Sequence, residues 1–240
     1  MKDISLEWYN KSYKEFGIDA QRKYPNEELL RFLAREFSLK MEFNARKNIK
    51  ILELGCGTCA NLWAVGKEGF DAYGIDFSEK AIQIGKEVLK RWNVKANIIV
   101  GDFRKLPYEN DFFDCVFDIL STLTQVEDDF LHCINEVYRI LKPGGLYFSF
   151  FPSANSDAFI DYEPSKLIED FTIDGIRRET SAYFSCIHPF RFLYPEMYKN
   201  ILKKRNFKVK SIETITRTYR NMKERFETIS IVGEKNRTSN

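Results

Sequence analysis

Short apolar runs alternate along this chain with stretches whose apolar positions recur at helical spacing. The first run, Ile49, Ile51, Leu52 and Leu54, breaks into Gly55-Cys56-Gly57-Thr58-Cys59-Ala60; a helical pattern then reaches Lys67 and stops at Gly69. Ala72-Tyr73-Gly74-Ile75 follows, and Ser78 stands where it can cap a helix with the apolar face Ala81, Ile82, Gly85, Val88, Leu89 and Trp92. Residues 97–100 and 112–120 read as third and fourth strands, the latter apolar on both faces except for Asp118. Glu127, Asp128 and Asp129 open the next helix while Arg139 and Lys142 close it, each set matched to its end of the helix dipole. Residues 146–151 make a fifth strand. Strands each followed by a helix predict an α/β fold around a mostly parallel sheet.

The flanks are less regular. Pro25-Asn26-Glu27-Glu28 reads as a helix start, with Leu29, Leu30, Phe32, Leu33 and Phe37 on its buried face, and residues 8–24 ahead of it interleave aromatic and charged side chains. No clear helix follows Pro152 until residues 195–204, and a connection that long inside a compact domain is usually functional or holds elements of its own. Residues 180–187 read as an added strand there. The alternating runs 208–217 and 227–234 predict a closing hairpin.

The chemistry concentrates at the first break. Two glycines one residue apart let the backbone turn sharply and approach a ligand, and the following helix offers unpaired N–H groups. Asp76 ends the second run about twenty residues on, where a carboxylate can accept from ribose hydroxyls. Gly55-x-Gly57-x-x-Ala60 also passes as a degenerate dinucleotide fingerprint, which keeps an NAD-linked oxidoreductase as an alternative. Three features point elsewhere: Glu53 in Glu53-Leu54-Gly55-Cys56-Gly57, Asp102 at the end of the third run, and Leu141-Lys142-Pro143-Gly144-Gly145 between a helix and the fifth strand. In this order and at this spacing, the chain resembles the class I S-adenosylmethionine-dependent methyltransferases over residues 50–151, and more loosely on both flanks.

That resemblance implies a Rossmann-like doubly wound, mostly parallel seven-stranded sheet with an antiparallel C-terminal strand, a helical lid and an insert after strand five. The expected division is one domain over 1–240: cap 1–48, cofactor core 49–151, acceptor-side insert 152–194, and closing helix and hairpin 195–235. The implied cofactor is S-adenosylmethionine, with S-adenosylhomocysteine as product. Glu53, Gly55 and Gly57, with Cys56 and Asn61 beside them, would follow its methionine part. Asp76 would hold the ribose hydroxyls with Ser78 nearby, Phe77 would lie against the adenine, and Asp102 would accept from the adenine amino group with Phe103 beside it. Cys59 stands where many members have a third glycine. Asp118, Ile119, Ser121 and Thr122, at the mouth of the sheet, are candidates to line the transfer site.

The acceptor-side candidates are Tyr9, Tyr13, Arg22 and Tyr24 from the amino end, and Tyr183 and Arg191 from the insert. His188, stiffened by Pro189, is a candidate general base, with Asp118 as a second. His132, off its helix's apolar stripe, reads as surface. Arginine and tyrosine in both segments suggest a small polar, phosphorylated or sugar-like acceptor, with oxygen favoured over nitrogen. A non-catalytic S-adenosylmethionine-binding protein is the other alternative, because the resembling family has no universal catalytic residue.

Composition narrows the partners. A net charge of +2 over 240 residues gives no strong footprint for nucleic acid, and the basic residues near the carboxyl end read as solvated faces. No apolar run is long enough to cross a bilayer and the start of the chain is mixed and polar, so a cytoplasmic enzyme is expected. Five cysteines, with Cys56-x-x-Cys59 unmatched by a second pair, predict free thiols and no metal site.

Overall fold

In chain order the strands are β1 (Lys50–Leu54), β2 (Asp71–Asp76), β3 (Asn97–Val100), β4 (Phe113–Ile119) and β5 (Leu141–Pro152), then β6 (Leu167–Glu169), β7 (Thr172–Ile173) and β8 (Phe190–Arg191), and last β9 (Phe207–Tyr219) and β10 (Glu224–Lys235). The helices are α1 (Lys2–Phe16), α2 (Glu27–Leu33), α3 (Leu62–Lys67), α4 (Glu79–Arg91), α5 (Glu127–Ile140), α6 (Asp157–Ile160) and α7 (Pro195–Lys204). This computed structural model describes residues 2–237; Met1 and 238–240, the ends of the expected domain, lie outside the described residues.

Seven strands form the main sheet in the order β3-β2-β1-β4-β5-β10-β9. The first five run parallel, and β10 is antiparallel to both of its neighbours. The expected Rossmann-like sheet with one antiparallel C-terminal strand is therefore what forms. The chain leaves β1 outward to β2 and β3, then returns to the opposite side of β1 as β4. That reversal is a topological switch point, where open α/β sheets leave a crevice at the carboxyl ends of the strands.

Strand periodicity decides what each face buries. In β1, Ile51 points into a core layer with α2, α3 and α4, while Leu52 and Leu54 join the opposite layer with α5 and α7. Phe32 of α2 stacks on Phe148 of β5 at 4.5 Å between ring centres. Asn26 caps α2 through Oδ1, which accepts from the Leu29 N–H, and Ser78 Oγ does the same for Ala81 at the start of α4. Among the described residues no helix is long and apolar enough to cross a membrane.

The insert departs from expectation. Residues 180–187 are a series of turns, because the N–H groups of Ser181, Phe184 and Cys186 each bond three residues back and Ser185 sits at φ 70°. The added strands are instead β6, β7 and β8, which form a small separate sheet. They are two or three residues long, too short for a period of two to register in the sequence.

Candidate active site

A cavity of about 310 Å³ opens at the switch point, under α1 and beside the insert. Its floor is the end of β1 and the turn after it, where Gly55 and Gly57 take left-handed φ of 62° and 49° and Cys59 takes 64°. The third value explains why glycine suits Cys59's position. Asp76, at the end of β2, holds this turn: Oδ2 accepts from the Gly57 N–H at 2.8 Å and Oδ1 from the Ser78 N–H at 2.9 Å. Each oxygen keeps a further lone pair, and the residue lines the cavity. Burial raises its pKa to about 6 against the pull of those two bonds.

Glu53 is 3% exposed, and its Oε1 accepts from Asn61, whose own Oδ1 accepts from the Asn26 N–H at the start of α2. Its Oε2 is buried with no hydrogen-bond partner among the described residues. Burial pushes Glu53 up to about 8, with the Asn61 bond and the charge of Arg22 acting the other way. A carboxyl whose folded pKa lies above its ordinary value of about 4.3 contributes stability that is complete below that value and lost as pH rises through about 8. In Glu53→Gln that loss should vanish, so thermal melts at pH 5 and pH 8 should show the variant gaining on wild type at about 1.4 kcal/mol per unit across the window. Asp76 titrates in both proteins and cancels; a difference independent of pH would sink the assignment.

Most of the remaining cofactor-side candidates gather here. Gly55, Cys56, Asn61, Phe77, Phe103 and Ile119 line the cavity. Asp102 lines a small recess that shares Phe77, Phe103 and Thr124 with it, and Arg104 grips both carboxylate oxygens there while reaching Asp129 at 2.6 Å. Two candidates do not face the cavity. Ser78 Oγ is spent on the α4 cap and on Asn10, so the role expected of its side chain is taken by structure. Gly57 is covered by Gln21, whose Oε1 accepts from the Thr58 N–H at 3.0 Å and whose Nε2 donates to Tyr13 at 2.6 Å.

The acceptor side is built by α1 and the insert, which supply Trp8, Tyr9, Tyr13, Arg22, Tyr183, Cys186, His188 and Phe190 to the wall. His188 is 1% exposed and stacks on Tyr9 with ring centres 5.3 Å apart. Its Nδ1 lies 2.9 Å from the Pro189 carbonyl oxygen, which only accepts, so Nδ1 carries the proton. Burial lowers the His188 pKa and keeps the ring neutral. Nε2 is thereby left as a buried acceptor with no partner among the described residues.

Three acceptor-side expectations fail. Asp118 is fully buried on the α5 face of the sheet, where the Ser121 and Thr122 N–H groups and the Thr122 and Ser149 hydroxyls satisfy it; it is a structural carboxylate with no access to the cavity. Arg191 is 2% exposed and bound to Glu169 and the Gln125 carbonyl, tying β8 to β6 away from the main cavity. Tyr24 is 67% exposed and lies outside the lining. Ser121, expected at the mouth of the sheet, does line the cavity, whereas Thr122 bonds Asp118; the unexpected lining residues include Gln21, Leu123 and Thr124, which carry no motif, and Cys186 and Phe190. Their common signal is position, immediately after a strand or beside an expected site residue.

Residues 51–145 match the family described as a methyltransferase domain. Over that stretch the chain is similar to the class I S-adenosylmethionine-dependent methyltransferases. Demethylmenaquinone methyltransferase of Staphylococcus aureus is 40% identical to it over 110 residues, 44% of this chain and 44% of that protein. The match thus spans less than half the length of the curated relatives. Among solved structures, a protein of Pyrococcus horikoshii superposes with a TM-score of 0.65 at 24% identity, covering 94% of this chain and 98% of the other. The 1,6-didemethyltoxoflavin-N1-methyltransferase of Burkholderia thailandensis, solved with 1,6-didemethyltoxoflavin and S-adenosylhomocysteine, gives 0.65 at 11% identity over 98% and 88% of the two chains. Both solved structures share the fold of this chain, and the family match lies over residues 51–145.

Proposed function

We propose that the protein binds S-adenosylmethionine at the β1–β2 end of the cavity and methylates a small molecule held between α1 and the insert. The observation that carries this is a pair of buried polar atoms without partners among the described residues in one cavity, Glu53 Oε2 beside the glycine turn and His188 Nε2 on the wall. Leaving such groups unpaired costs about 1–3 kcal/mol each, which a ligand with matching donors relieves. The first suits the ammonium of a methionine moiety, and the open lone pairs of Asp76 suit ribose hydroxyls, so the residues present fit the cofactor. When bound, S-adenosylmethionine supplies a methyl group on a positively charged sulfur.

The chain's own residues then position, exclude water and move one proton. The aromatic side chains of α1 and the insert close over the acceptor, and His188 Nε2 accepts its proton as the methyl group is taken up. In this reading cap 1–48 and insert 152–194 hold the acceptor over core 49–151, and 195–235 complete the sheet. The names of two similar proteins, a demethylmenaquinone methyltransferase and a 1,6-didemethyltoxoflavin-N1-methyltransferase, support a small-molecule acceptor.

Calorimetric titration with S-adenosylhomocysteine and with NAD tests the reading. Heat from the first and none from the second is expected, and the reverse would overturn the proposal in favour of an oxidoreductase. Asp76→Ala removes charge-assisted bonds worth about 1.5–3 kcal/mol each, so its affinity for S-adenosylhomocysteine should fall at least about tenfold. An unchanged dissociation constant would remove Asp76 from the site.

A further inference from the structure

We infer that the acceptor is a planar aromatic molecule bearing a ring hydroxyl, bound in the cavity against the aromatic wall of α1 and the insert with that hydroxyl on His188 Nε2. This rests on the methyltransferase reading above and narrows it to a substrate class. The wall is made of rings in similar planes: Tyr9 and His188 are inclined by 27° at 5.3 Å, and His188 and Phe190 by 17° at 6.3 Å. Trp8 meets His188 edge-on at 5.2 Å, and Ile119 and Leu123 add apolar surface to the lining. Stacked and edge-on rings favour a flat aromatic guest over a saturated one.

Charge argues against the phosphorylated or sugar-like acceptor that the sequence suggests. Among the described residues lining the cavity the acids are Glu53 and Asp76, both at the glycine-turn end, and the one cation, Arg22, acts on Glu53. A phosphate would meet two carboxyl groups and a neutral histidine. A sugar would set several of its hydroxyls against the faces of these rings, which present π-electrons rather than oxygen or nitrogen.

Acidity separates the remaining hydroxyls. His188 has a lowered pKa and is a weak base. It can take a proton from a phenol, whose pKa is about 10, far more readily than from a hydroxyl as weakly acidic as water, at about 15.7. The balanced step moves the ring O–H proton to Nε2 as the oxygen forms its bond to the methyl carbon and the carbon–sulfur bond breaks, leaving the thioether of S-adenosylhomocysteine.

The test uses the full chain saturated with S-adenosylhomocysteine and titrated calorimetrically with 2-naphthol, decahydro-2-naphthol and glucose 6-phosphate. The expected result is 2-naphthol binding at least about tenfold more tightly than its saturated analogue, and no binding of the sugar phosphate at about 1 mM. His188→Phe keeps a ring in the wall and removes the acceptor. It should weaken 2-naphthol at least about fivefold and abolish the red shift of its absorbance in the complex, which a merely structural role for His188 would not do. Equal binding of the two alcohols, tighter binding of glucose 6-phosphate, or no binding of any of the three would overturn the inference. If S-adenosylhomocysteine binds and the aromatic preference is absent, only the acceptor class falls; if it does not bind at all, the methyltransferase reading falls with it.

Discussion

Gly57→Val is expected to abolish binding of S-adenosylhomocysteine while leaving a folded chain. Gly57 holds φ 49°, a conformation that a β-branched residue adopts only under strain of about 1–3 kcal/mol. A Cβ there would also overlap Gln21 Oε1, whose carboxamide bridges the Thr58 N–H and the Tyr13 hydroxyl. Gln21 can swing away, being a side chain, but the backbone can relieve its strain only by rotating the Gly57 N–H off Asp76. That rotation undoes the turn and frees the carboxylate proposed to hold the ribose. The melting temperature should fall by about 2–4 °C per kcal/mol of strain, a modest loss for a chain of this size. Calorimetry run beside a thermal melt checks both halves. A variant that melts like wild type and binds within about threefold of it would show that this turn is not the cofactor site.

The core of the fold was legible because its signals are local. Each parallel strand is a short apolar run, each helix has a stripe, and Ser78 and Asn26 cap where residues of their type should. Strand order is not local: nothing in residues 113–119 says that β4 pairs with β1 rather than β3, and only the resemblance supplied it. Asp118 shows a signal that was present and not used. Side chains alternate along a strand, so Asp118 and Ile119 cannot both face one cavity; Ile119 lines it and Asp118 points into the opposite layer. Arg191 could not have been resolved that way, since a two-residue strand has no period, and its partner Glu169 lies 22 positions back in an equally short one. Gln21 carries no motif at all, because its place over the glycine turn depends on how α1 and the loop after it fold back on the core.

His188→Ala is expected to lower turnover by about a hundredfold or more while leaving affinity for S-adenosylhomocysteine within about twofold, once an acceptor is in hand. The separation follows from position. Glu53, Asp76 and the glycine turn belong to elements of the core, whereas His188 comes from the insert and touches Tyr9 and Trp8. The proton on Nδ1, held by the Pro189 carbonyl, fixes the tautomer that presents a bare Nε2; among the described wall residues burial raises the pKa of Tyr9, Tyr13, Tyr183 and Cys186 and keeps them protonated, and Asp118 is sealed in the core. The pH profile supplies the sign. Burial holds the His188 pKa below its ordinary value of about 6.5, so with S-adenosylmethionine saturating, and Glu53 and Asp76 already engaged, wild-type kcat/KM for the acceptor should be flat at and above neutrality and fall only on the acid side, where Nε2 takes a proton. In His188→Ala that acid limb should disappear along with the rate. His188→Phe, which preserves the ring packing against Tyr9, should be as slow as His188→Ala if the nitrogen is what matters. Should His188→Phe turn over like wild type, the histidine would be only a wall, and the acceptor would need no base.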